Sequence, residues 1–132
     1  MILSIKRFVG RGINLVRKDE RITEILENCL NSKLLESILT SLEVWLQERN
    51  LNPESYRWQS LANHLSIMIE RKQSGEELNK LDLSIFSSIG EESVELSKRI
   101  THQIGLTQDE EVYLLASHFE AIIAEETEEV VK

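Results

Sequence analysis

Along most of this chain apolar residues recur at spacings of three and four. That is the period of a helix buried on one side, and no stretch alternates as a half-buried strand would. The pattern predicts an all-α fold, an antiparallel bundle of about five helices. Ile22, Ile25, Leu26, Cys29 and Leu30 fall at i, i+3, i+4, i+7 and i+8 and predict a helix near 20–31 with Asp19 as its cap. Leu34, Leu35, Ile38, Leu39, Leu42, Trp45 and Leu46 predict a second helix near 33–49, opened by Ser32. Asn52 and Pro53 suit the cap and first position of a third, which runs to Ser74 on a face of Trp58, Leu61, Leu65, Met68 and Ile69. Gly75 suits the left-handed residue that ends it.

A polar loop, Glu76 to Lys80, leads to a short element built on Leu83, Ile85 and Phe86. A fourth helix is expected near 91–104, between Gly90 and Gly105. Thr107 and Glu110 have capping-box spacing and open the last helix, which carries Val112, Leu114, Leu115, Phe119, Ile122 and Ile123. Beyond Ala124 the sequence turns acidic and is expected to fray. The chain thus reads as a basic arm and short helix over 1–32, a helical domain over 33–127 and a frayed acidic tail over 128–132.

Charge adds an asymmetry to this picture. Residues 1–18 hold Lys6, Arg7, Arg11, Arg17 and Lys18 and no acid, a charge of +5; the total of −8 therefore leaves −13 on the rest. Such a body repels phosphate backbones, so the folded domain is not expected to bind nucleic acid directly. The single cysteine, Cys29, forms no internal disulfide and reads as a small buried hydrophobe. No apolar run reaches the length of a signal peptide or a membrane span, which predicts a cytoplasmic protein without a membrane partner.

Chemistry is concentrated in the histidines, the side chains whose ordinary pKa lies nearest neutrality. His64 lies mid-helix, with Leu61, Met68 and Arg71 on its face at spacings of three and four. His118 has Glu111 and Ile122 on its face by the same count. His102 has no such setting and is expected to be exposed and inert. No H-E-x-x-H or C-x-x-C pattern offers a metal site, no nucleophile elbow offers a triad, and no glycine-rich loop offers a phosphate cradle. The expectation is a non-enzyme with no metal and no cofactor.

The stretch from Leu51 to Arg71, through Asn63 and His64, resembles the first histidine region of PTS regulation domains. In that region an asparagine or aspartate precedes the histidine and an arginine follows it by seven. The stretch from Asp109 to Phe119 resembles the second region, in which a glutamate precedes the histidine by seven, as Glu111 precedes His118. The resemblance spans about residues 33–127 and occurs once. Ile89-Gly90 and Tyr113 depart from the family's usual tyrosine-proline and glycine.

The resemblance implies a regulatory domain in carbohydrate-utilisation control, working through histidine phosphorylation and dimerisation. It implies His64 and His118 as phosphoacceptors, with Asn63, Arg71 and Glu111 in support. It also implies the phosphocarrier HPr or sugar permease components as partners, and a homodimer. Both histidine faces are expected to turn towards one groove or interface. An alternative is an interaction module that kept the fold and lost phosphorylation.

Overall fold

The computed structural model describes residues 19–131, with side chains described as far as Glu125. The basic arm expected over 1–18 lies outside these residues. Among the described residues there are five α-helices, one 3-10 turn and no strand, as the periodicity predicts. The helices are α1 (Glu20–Asn28), α2 (Ser32–Glu48), α3 (Ser55–Ser74), α4 (Glu91–Ile104) and α5 (Asp109–Val131); the 3-10 turn, Leu83–Phe86, precedes α4. The chain divides into two compact units, Met1–Ser66 and Ile67–Lys132, and the division falls within α3.

In the first unit, α1 packs on α2. Asp19 caps α1 as expected, its Oδ1 accepting from the N–H of Arg21 at 2.9 Å and of Ile22 at 3.2 Å. The same carboxylate accepts from Nε2 of Gln59 on α3, at 3.1 Å to Oδ2. Ile22 and Ile25 are buried, but α1 stops at Asn28, short of the expected residue 31. Cys29 is consequently only half-buried and Leu30 is 62% exposed, because both leave the apolar stripe when the helix ends.

Asn31, rather than Ser32, caps α2, its side chain accepting from Leu34 N–H at 3.1 Å. The core of the unit is Leu35, Ile38, Leu39, Leu42, Trp45 and Leu46 of α2 with Trp58, Leu61, Ala62 and Leu65 of α3. The helix α2 ends in a Schellman arrangement. Leu51 N–H reaches Leu46 C=O at 2.9 Å, and Asn50 takes the left-handed φ of 55°. The first helical residue of α3 is Ser55, with Glu54 C=O accepting from Arg57 and Trp58, so Pro53 lies just ahead of the helix.

In the second unit, α4 and the 3-10 turn both pack on α5. Met68 and Ile69 of α3, Leu96, Ile100 and Ile104 of α4, and Val112, Leu115, Ala116, Phe119 and Ile122 of α5 are buried. Ser93, Ser97 and Thr101 form a small-residue stripe along α4, each no more than 2% exposed. Glu120 of α5 closes the start of α4, its Oε1 accepting from Gly90 N–H at 3.1 Å and Ser93 Oγ–H at 2.9 Å. The capping box expected at Thr107 does not form. Gln108 C=O accepts from Glu111 N–H at 3.1 Å, and Glu110 accepts from the backbone of Leu81 instead. The backbone of α5 continues as helix past Ala124 to Val131.

Gly105 ends α4 with φ 99°, and Leu106 N–H reaches Thr101 C=O at 3.0 Å. A Cβ at Gly105 would also meet Cε of Lys72 at 3.0 Å. Gly105→Ala is therefore expected to cost about 1–2 kcal/mol, mostly from the left-handed backbone. A urea melt against the parent checks this.

Candidate functional site

The ends of α3 and α5 are electrically matched before any tertiary contact forms. The last turn of α3 carries Arg71 and Lys72, where a helix favours cations, and the first turn of α5 carries Asp109, Glu110 and Glu111, where it favours anions. Arg71 meets Glu111 in a two-pronged bond. Nε donates to Oε2 at 2.7 Å and Nη2 to Oε1 at 2.8 Å. The Glu111 side chain is 1% exposed and that of Arg71 14%. A buried carboxylate is tolerable because the planar guanidinium satisfies both of its oxygens.

The hydrogen bond to Glu111 is the main reason the Arg71 pKa stands above its ordinary value, against the pull of burial. The charges of Glu111, Glu76 and Glu70 push it the same way. By spacing along the helices, Arg71 shares a face with His64 and Glu111 with His118. In three dimensions Arg71 and Glu111 bind each other. A bond between residues forty positions apart has no signal in helical spacing.

His64, on α3 in the first unit, is half-buried, and its Nε2 is buried. Asn63 beside it is exposed. His118, on α5 in the second unit, is half-buried. His102 is exposed in the last turn of α4, and its carbonyl accepts from Gly105 N–H. Half-burial lets an imidazole be held in place by packing while part of it meets solvent.

Helical spacing also misses Gln108. Its side chain pairs with the backbone of Leu78 in both directions: Leu78 N–H donates to Oε1 at 2.8 Å, and Nε2 donates to Leu78 C=O at 3.0 Å. Leu81 N–H donates to Glu110 Oε2 at 3.3 Å. Gln108 and the first turn of α5 thus hold the loop after α3 as well as Arg71. Among the described residues no group of three or more His, Cys, Asp or Glu could hold a metal ion, and no helix is long and apolar enough to cross a membrane.

His64 and His118 each lie mid-helix in an all-α fold of the described residues, and the comparisons with known proteins give the family. The PRD domain model matches residues 32–122, and the chain belongs to that family. No curated protein matches it. The solved structure of a PRD-containing transcription regulator from Lactobacillus casei ATCC 334 superposes with a TM-score of 0.72 at 24% identity. That match covers 80% of this chain and 95% of the other, and shows a shared helical-bundle fold.

Proposed function

We propose that this PRD domain is a phosphorylation-controlled regulatory module of the phosphoenolpyruvate-dependent sugar phosphotransferase type, in which His64 and His118 accept phosphate. The observation that carries the reading is the family match over 32–122. It encloses both histidines, and each is half-buried in the middle of a helix. The chemistry suits such a position. A neutral imidazole is a nucleophile near pH 7, and the donor brings the activated phosphoryl group. The imidazole nitrogen attacks phosphorus, the donor's own histidine leaves, and a labile phosphoramidate results. The acceptor therefore needs a reachable nitrogen and a docking surface rather than catalytic machinery, in keeping with a regulatory role.

Readout would be electrostatic. Each phosphate adds close to two negative charges to a body already at −13. A homodimer is the assembly such charges would act on, through a helix–helix interface. The proposed partners are a second copy and the phosphocarrier HPr or sugar permease components, with carbohydrate-utilisation genes under control in the cytoplasm. Nucleic acid is not expected to bind the folded domain itself, nor a membrane.

The buried Nε2 of His64 favours a second reading for that position, a packed histidine in an interaction module that exchanges no phosphate. Sedimentation before and after treatment with phosphoenolpyruvate, enzyme I and HPr separates the two. The regulatory reading expects a dimer whose association constant changes on treatment. A monomer throughout, or a dimer indifferent to treatment, counts against it.

A further inference from the structure

Between α3 and α4 the chain runs through residues 76–86 with little core of its own. Glu76, Glu77, Asn79, Lys80 and Leu81 are exposed, and the 3-10 turn buries no residue. Ile85 is 66% exposed. What holds this segment is polar and local. Leu78 is bonded in both directions by Gln108, Leu81 N–H is held by Glu110, and the Phe86 ring stacks on Tyr113 of α5 at 5.7 Å between centroids. Every one of these anchors sits on residues 108–113, Gln108 just ahead of α5 and the helix's first turn.

That turn is fixed in its centre by Arg71. Arg71 feels three carboxylates, Glu111, Glu76 and Glu70, and Glu76 is the first residue of the segment after Gly75. Taking Arg71 away would remove the cation that both Glu111 and Glu76 act on. It would also free the turn from the two-pronged bond to Glu111, whose partners lie at 2.7 and 2.8 Å.

We propose that residues 76–86 form a strap that opens and closes on the first turns of α5 as one local unit, with the Arg71–Glu111 pair as its latch. The strap opens without unfolding the helices, because its anchors are a few exposed or part-buried bonds and one ring stack rather than core side chains. Opening uncovers the Tyr113 side of α5. A change in the charge around Arg71 is thereby converted into exposure of an α5 surface. The device needs no phosphate to exist, so it stands or falls independently of the phosphoacceptor reading.

Amide hydrogen exchange at Leu78 and Leu81 reads the strap directly, since their N–H groups donate to the side chains of Gln108 and Glu110 at the start of α5. Gln108→Ala removes the two-way pair and leaves the latch intact. It is expected to speed exchange at Leu78 by about tenfold or more, with amides inside α4 and the middle of α5 unchanged. Glu111→Gln weakens the latch and leaves Gln108 in place; it is expected to speed both Leu78 and Leu81. Arg71→Lys, which keeps the charge and loses the fork, is the milder latch variant should Glu111→Gln fail to fold, and it should act in the same direction. Exchange at Leu78 that stays within about twofold of the parent in Gln108→Ala overturns the strap. Latch variants that speed Leu78 only in parallel with the helix-core amides overturn the latch.

Discussion

Replacing Arg71 with methionine is expected to cost the protein about 3–5 kcal/mol, because it leaves a buried carboxylate without its counter-charge. The Glu111 side chain is 1% exposed and gives both oxygens to Arg71. Methionine fills much of the volume of arginine, so the loss reports charge and hydrogen bonds rather than a cavity. Against a total stability of about 5–15 kcal/mol, this is a large fraction of the whole.

The double variant Arg71→Met with Glu111→Leu should recover most of the loss, since a buried pair replaced by well-packed apolar groups is often neutral. The pH dependence has a defined sign. Glu111 raises the Arg71 pKa, so the stability this pair contributes through Arg71 is complete below the ordinary arginine range and lost only in strong alkali. The parent should therefore lose no stability through Arg71 between about pH 6 and 9. Denaturant melts of the three proteins across that range check both expectations.

This pair also marks where reading along the chain reaches its end. Helical spacing correctly places Leu35, Ile38, Leu39, Leu42, Leu61, Leu65 and Met68 inside, because a buried stripe is a local property of one helix. It finds Asp19, Gly75 and Gly105 at helix ends for the same reason, since caps and left-handed glycines act within a turn. It fails where two local solutions compete. Asn31 and Ser32 can both cap α2, and the asparagine does. Thr107 and Glu110 have capping-box spacing, but Glu110 is drawn to the backbone of Leu81, and the helix opens from Gln108.

Spacing fails more completely where the partner is distant in sequence. Arg71 was expected beside His64 and Glu111 beside His118, each judged against the nearest histidine on its own helix. Only tertiary packing reveals that they bind each other. The two-way bond between Gln108 and Leu78 is invisible for a different reason: one partner is backbone, which any residue type supplies.

Substitution of the histidines should produce the second large effect, the complete loss of phosphate from the altered position with little change in stability. For His118→Ala the melting temperature is expected to stay close to that of the parent, since a half-buried imidazole leaves little cavity. For His64→Ala a cost of about 1–2 kcal/mol is expected beside the loss of phosphate, because its Nε2 is buried. His118→Asp should fold and imitate part of the phosphorylated assembly state, as a charge at a partly solvated site does. The opposite outcome, in which both alanine variants unfold and neither position ever carries phosphate, is what packed structural histidines would give. Thermal melts run beside sedimentation and site-resolved mass spectrometry distinguish these patterns.

The most direct measurement is phosphate transfer to the folded chain itself. The purified protein is incubated with phosphoenolpyruvate, enzyme I and HPr, and acid-labile phosphate is mapped on the parent, on each single alanine variant and on the double variant. The account predicts label on the parent, reduced in His64→Ala and in His118→Ala and absent from the double variant, with all four proteins folded. A folded parent that takes no label while HPr in the same tube is fully phosphorylated would contradict it.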